Sequence, residues 1–208
     1  MHTIRSFVAI PLSAQVGKTA RNLIRDLSRE KDGIKWVPTD NLHLTLKFLG
    51  EVIDREVPAV CQALRRVCRD QQPFTLEFSG TGGFPDSDRP RVLWAGITQG
   101  AEELTELVSA LETELADLGF KPEPRDYRPH LTLGRVRSGS RTASEEVIER
   151  LARNAKRYLG QMPADQLRLY SSFLDKSGPS YHVMDTIPLG TAADGGEEAE
   201  DDDDFETR

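Results

Sequence analysis

The tetrapeptide His43-Leu44-Thr45-Leu46 recurs letter for letter at His130-Leu131-Thr132-Leu133, and the two copies hold two of only four histidines in the chain. Side chains in a strand alternate between faces, so His43 and Thr45 share one surface while Leu44 and Leu46 point to the other. The same holds for His130 and Thr132. Each copy therefore offers an imidazole and a hydroxyl on one face, anchored in a core by two leucines. Two such surfaces facing each other would line a symmetric cleft.

An imidazole with an ordinary pKa near 6.5 serves as acid or base at neutral pH. Of a facing pair, one neutral ring can take a proton from an attacking water while a protonated one delivers a proton to a departing oxygen. In-line displacement at phosphorus needs those two groups on opposite sides of the phosphorus atom. The Thr45 and Thr132 hydroxyls would then be placed to bind non-bridging phosphate oxygens, where charge grows in the transition state. Symmetry by itself leaves open which histidine is the acid. No metal or other cofactor is called for.

Other readings of these residues are weaker. A single His-x-Thr on a strand is ordinarily a core histidine beside a satisfied hydroxyl, but the exact doubling of the motif argues against that here. A zinc site usually takes at least three protein ligands, and threonine is a poor one. His2, at a frayed terminus, and His182, on a final strand, are not placed to complete such a site. A Ser/His/Asp triad would lack its G-x-S-x-G elbow.

Around these motifs the chain is long enough, at 208 residues and 38% hydrophobic, for one good-sized core or two modest ones packed together. The net charge of -7 is misleading, because residues 191–208 hold nine acidic residues and one basic. Residues 1–190 then carry 26 Lys/Arg against 25 Asp/Glu, a body near +1. The like-charged, Gly-containing tail is expected to be disordered. Cys61 and Cys68 fall on one helix, roughly 10 Å apart along its axis, which is beyond disulfide reach of about 7 Å. Reduced thiols are expected. The apolar run Phe7-Val8-Ala9-Ile10 is too short for a signal sequence, and no stretch approaches membrane-spanning length. A soluble, cytoplasmic chain is the expectation. No exposed apolar stripe points to an oligomer, so a monomer is expected too.

Apolar periodicity predicts four amphipathic helices. They run over about 13–30, from just after Asp54, over about 101–118 with Gly119 as the stop, and from a capping box formed by Thr142 and Glu145. Strands are predicted at 4–11, 43–49, 74–80, 91–98, 130–136, 166–174 and 181–187. His43 and His130 stand 87 residues apart, and the same offset carries the strand at 4–11 onto 91–98 and the helix starts at 13 and 54 onto 100 and 141. Two intertwined β-α-β-α-β repeats of about 90 residues follow, closed by a last strand near 181–187. A pseudo-twofold pair of lobes is the economical arrangement. The alternation also fits a doubly wound parallel sheet, although no Gly-rich phosphate loop follows the first strand.

The stretches His43-Leu44-Thr45-Leu46-Lys47-Phe48-Leu49-Gly50 and Pro129-His130-Leu131-Thr132-Leu133-Gly134-Arg135-Val136 resemble the paired His-x-Thr-x motifs of the 2H phosphoesterase superfamily. The nearest branch is the bacterial RNA 2′,3′-cyclic phosphodiesterases, also known as 2′-5′ RNA ligases. The likeness extends to Arg5-Ser6-Phe7-Val8-Ala9-Ile10, Trp36-Val37-Pro38, Pro90-Arg91-Val92-Leu93-Trp94-Ala95, Leu169-Tyr170-Ser171-Ser172-Phe173-Leu174 and Gly178-Pro179-Ser180-Tyr181. It covers about residues 3–188 and leaves out the acidic tail. The resemblance implies an α+β, bilobal fold, each lobe an antiparallel sheet backed by helices, with the motifs lining the groove between them. It implies metal-independent hydrolysis of 2′,3′-cyclic phosphates, on RNA ends or cyclic nucleotides, to 2′-phosphomonoesters. It also implies His43 as proton donor, His130 as proton acceptor, Thr45 and Thr132 as phosphate ligands, and a phosphate-binding role for Arg135.

Alternation places Lys47 on the face of His43 and Thr45, within reach of a phosphate. It places Arg135 opposite His130, unless Gly134 marks a bulge. The stretch 121–141 carries Lys121, Arg125, Arg128, Arg135, Arg137 and Arg141 against Glu123 and Asp126, which suits an RNA backbone. Among aromatics able to stack on a base, Tyr127 is favoured, with Phe7 and Phe48 expected in the core. Two competing activities remain: joining of RNA ends by the reverse reaction, and recognition of RNA ends without turnover. The direction of reaction is open in the sequence, while binding alone would not require an acid–base pair.

Overall fold

The predicted alternation of apolar residues builds two antiparallel sheets. The computed structural model describes residues 2–175 and 178–190; the acidic tail discussed above lies outside them. Among the described residues the strands are β1 (Thr3–Pro11), β2 (Ile34–Trp36), β3 (His43–Ile53), β4 (Phe74–Phe84), β5 (Val92–Gln99), β6 (His130–Val136), β7 (Tyr158–Ala164), β8 (Gln166–Asp175) and β9 (Gly178–Pro188). The α-helices are α1 (Ala14–Leu27), α2 (Val57–Arg69), α3 (Ala101–Ala116) and α4 (Glu145–Arg153). One sheet has the order β3-β1-β8-β9 and the other β2-β6-β5-β4-β7, and every neighbouring pair runs antiparallel. The fold is α+β and bilobal. A doubly wound parallel sheet is ruled out.

The two sheets are related by the 87-residue offset. Under it β1 corresponds to β5, β3 to β6 and β4 overlaps β8, so β3-β1-β8 in one sheet is equivalent to β6-β5-β4 in the other. The repeats are exchanged rather than side by side: β4 leaves the first repeat to pair with β5, and β8 leaves the second to pair with β1. The helices cross as well. α1 packs on β7 and α4, while α3 packs on α2 and β3. Each lobe thus contains elements from both halves of the chain, which draws the two motif strands together; β3 and β6 lie against one another.

Local chemistry sets the helix boundaries. The Ser13 hydroxyl accepts from the Val16 amide at 3.3 Å and starts α1, which buries Val16, Ala20, Leu23 and Leu27. After α3, the Phe120 amide returns to the Leu115 carbonyl while Gly119 takes φ +88°, the left-handed stop expected from its position. The capping box predicted at Thr142 is not what forms. Ser144 caps α4 by accepting from the Val147 amide at 3.4 Å, and the Thr142 hydroxyl instead donates to the Pro90 carbonyl.

Two strands escape the sequence patterns. β2 has three residues, too few to display a period. β7 contains Gly160, at φ +125°, and Pro163, both strand breakers by composition. They are tolerated because β7 is the edge of its sheet, with a register shift near Gly160 where it pairs with β4. Cys61 and Cys68 are free thiols, and burial pushes Cys68 up to about 12.

Candidate active site

Both motif strands carry a bulge at the same point. Along β3, Thr45 pairs with Ala9 and Lys47 with Val8, so Leu46 is the extra residue. Along β6, Thr132 pairs with Trp94 and Gly134 with Leu93, so Leu133 is the extra residue. An extra residue resets the alternation. Leu46 and Lys47 both turn inward, as do Leu133 and Gly134, and the next residues turn outward. Phe48 therefore joins the face of His43 and Thr45, and Arg135 joins the face of His130 and Thr132.

This geometry corrects one expectation and decides another. Lys47 does not face the cleft. Its side chain is fully buried and its ammonium donates to Glu112 Oε2 of α3 and to the Lys121 carbonyl at 3.1 Å. Arg135, which unbroken alternation would have sent to the far side, lines the cleft instead. A glycine precedes it because a Cβ at position 134 would come within 2.8 Å of Ile34 and 2.9 Å of Trp36 on β2.

The two histidines are held alike. His43 Nδ1 lies 2.8 Å from the Asn41 carbonyl, and His130 Nδ1 lies 2.6 Å from the Arg128 carbonyl. A carbonyl only accepts, so each Nδ1 carries a hydrogen and Nε2 is the nitrogen left for proton transfer. Their packing differs. His43 stacks on Phe7 at 4.7 Å and receives the edge of Tyr181 at 5.3 Å. His130 meets Phe84 edge-on at 5.0 Å, and the Arg128 guanidinium lies over that same ring. Burial lowers His43 to about 4, against a smaller opposing pull from the Asn41 carbonyl. Burial also lowers His130; the Arg128 carbonyl opposes this and the nearby Arg135 charge adds to it.

A cleft of about 310 Å³ is lined by His43 and Thr45 of one sheet and by Thr132 and Arg135 of the other. His130 is not part of that lining. It precedes Thr132 by two residues on the same face of β6, within electrostatic reach of Arg135. From these residues the cleft itself presents one imidazole, two hydroxyls and a guanidinium, with His130 two residues before Thr132 on the same strand.

Tyr127, favoured above as a base-stacking residue, is taken up elsewhere. Its hydroxyl donates to the Thr45 carbonyl at 3.1 Å, and burial raises its pKa. It pins the loop before β6 to the opposite motif strand. Phe48, expected in the core, is 54% exposed and lines the cleft. Arg5, Asn41 and Tyr181 also line it and were not singled out from the sequence. Asn41 donates from Nδ2 to the Pro179 carbonyl at 2.7 Å, joining the loop before β3 to the start of β9.

Comparison with known proteins accounts for this pattern. A family model described as LigT like phosphoesterase matches over residues 10–94 and 96–181. An RNA 2′,3′-cyclic phosphodiesterase of Aquifex aeolicus is 31% identical over 191 residues, covering 91% of this chain and 100% of the relative. One from Archaeoglobus fulgidus is 34% identical over 178 residues, covering 86% of this chain and 96% of the relative. The crystal structure of E. coli LigT complexed with 3′-AMP superposes with a TM-score of 0.74 at 27% identity, covering 91% of this chain and 100% of that one. The chain belongs to the LigT-like phosphoesterase family.

Proposed function

We propose that this protein hydrolyses 2′,3′-cyclic phosphates, at RNA ends or on nucleotides, to 2′-phosphomonoesters by a two-histidine acid–base mechanism. The observation that carries the reading is the pair of equivalent His-x-Thr strands, each histidine tied through Nδ1 to the carbonyl two residues upstream. The names of the family relatives support the substrate class.

In this reading His130 Nε2 removes a proton from water as the water oxygen bonds to phosphorus. The bond from phosphorus to O3′ breaks, and O3′ takes a proton from His43 Nε2. Thr45, Thr132 and Arg135 hold the non-bridging oxygens as their charge increases. Arg135 near His130 disfavours an imidazolium there and keeps that ring available as a base. Burial makes a proton on His43 weakly held, which suits delivery to a leaving alkoxide. The proton arrives with the anionic substrate, because a neighbouring negative charge favours the imidazolium. Among the described residues no group of three His, Cys, Asp or Glu side chains is placed to hold a metal ion. Acid–base chemistry by the imidazoles needs none.

Purified protein incubated in chelator with nucleoside 2′,3′-cyclic phosphates and cyclic-phosphate RNA, with products resolved by phosphorus NMR, tests the proposal. A 2′-phosphate is expected. Loss of turnover in chelator, a 3′-phosphate product, or RNA binding without turnover would each contradict it.

A further inference from the structure

Each histidine of the site meets one aromatic ring edge-on: Phe84 at 5.0 Å from His130, and Tyr181 at 5.3 Å from His43. In the β6 lobe a phenyl ring suffices for that contact. Tyr181 adds a hydroxyl that the packing does not use, and it makes no hydrogen bond to another described residue. The ring also packs edge-on against Phe7 at 5.0 Å, and the residue lines the cleft together with Thr45, Thr132 and Arg135. Arg5 of β1 and Arg135 of β6 both lie within electrostatic reach of the hydroxyl, one from each lobe. Burial raises the pKa of this phenol against the opposing charges of Arg135 and Arg5. It is therefore protonated at neutral pH and donates towards an anionic oxygen. Its position is fixed along with that of His43. Asn41 Nδ2 donates to the Pro179 carbonyl at 2.7 Å, and the Asn41 carbonyl accepts from His43 Nδ1 at 2.8 Å. One asparagine thus holds both the imidazole and the start of the strand that carries Tyr181.

We propose that Tyr181 is a further catalytic residue, its hydroxyl donating a hydrogen bond to a non-bridging oxygen of the substrate phosphate. The inference rests on the function proposed above and adds a donor from β9, outside both motif strands. Negative charge on the non-bridging oxygens grows as water bonds to phosphorus, and a donor already held in place stabilises that charge without reorganising. The two parts of the side chain have separate tasks. The hydroxyl binds the phosphate beside Arg135. The ring covers His43 and contributes to the burial that makes its proton weakly held. A phenyl at position 181 would perform only the second task, as Phe84 does beside His130.

The test compares wild type, Tyr181→Phe and Tyr181→Leu in two measurements: the pH profile of kcat/KM on a nucleoside 2′,3′-cyclic phosphate, and calorimetric binding of inorganic phosphate. Tyr181→Phe keeps the ring and should lower kcat/KM by roughly 10–100-fold, the size of one hydrogen bond to a charged group. It should weaken inorganic phosphate as well, and leave the limb of the profile set by His43 in place. Tyr181→Leu should show the same losses and also move that limb to higher pH, because His43 regains contact with water. Unchanged turnover and phosphate affinity in Tyr181→Phe would overturn the proposal. So would a wild type that binds no phosphate, or a His43 limb displaced equally in both variants, which would assign the whole effect to ring packing. A wild type that binds phosphate more tightly than Tyr181→Phe yet hydrolyses no cyclic phosphate would overturn the proposed activity and leave the hydroxyl contact standing.

Discussion

Lys47 and Glu112 form an ion pair inside the β3 lobe, with Nζ 2.5 Å from Oε2. The pair is unequal: the lysine side chain has no exposure, while the glutamate retains 20%. Removing one partner of a buried pair strands the other, and the penalty grows with the burial of the group left behind. Glu112→Ala should therefore lose about 3–5 kcal/mol by leaving an ammonium in the interior. Lys47→Met should lose less, because its apolar stem keeps the packing and the glutamate left behind is the less buried of the two. Urea denaturation of both variants checks the order; the reverse order would contradict it.

Burial of His43 ties stability to pH. The ring sits near 6.5 when unfolded and at about 4 when folded, so the folded protein favours the neutral form. That contribution is complete above about 6.5 and is lost progressively as the pH falls towards 4, on the order of 3 kcal/mol in total. His43→Gln should lose less stability than wild type between pH 7 and pH 4. Parallel pH–stability curves for the two proteins would show that burial of this ring has no such effect.

The same depression shapes the rate profile. kcat/KM follows the free enzyme, where the His43 donor is protonated only at low pH, and kcat follows the complex, where bound phosphate supports that proton. The optimum for kcat should lie at higher pH than the optimum for kcat/KM. Steady-state kinetics across pH 4–9 provide the check, and coincident optima would contradict a donor whose proton depends on the substrate.

Arg135 should act twice. Arg135→Ala removes a phosphate ligand and is expected to lower kcat/KM by about 10²-fold, as for loss of one transition-state donor. It also removes a positive neighbour of His130, so the limb of the kcat/KM profile set by His130 should move to higher pH. Arg135→Lys should keep the limb in place while recovering only part of the rate, since an ammonium cannot offer the planar fork. An unshifted limb in Arg135→Ala would separate this arginine from His130.

What was legible in the sequence, and what was not, divides at the bulges. His43, Thr45, His130 and Thr132 could be placed on common faces because they precede the extra residues, where a strand's period of two still holds. Lys47 and Arg135 come after them, and their direction depends on how Val8 and Leu93 pair across the sheet. Gly134 hinted at the second bulge; nothing local marks the first. Arg5 and Tyr181 reach the cleft from strands far away in the chain. Tyr127 looked like a surface aromatic in a basic loop, but its partner, the Thr45 carbonyl, lies 82 residues away. The exchange of β4 and β8 between lobes was equally out of sight, because it is a choice of partner rather than a pattern within a segment.

Single-turnover rates of His43→Ala and His130→Ala on a nucleoside 2′,3′-cyclic phosphate in chelator probe the two-histidine mechanism most directly. Each variant should fall by roughly 10²–10⁴-fold, with the double variant far less impaired than the product of the two losses. Wild-type turnover by either variant would mean that its imidazole does not act on the phosphorus.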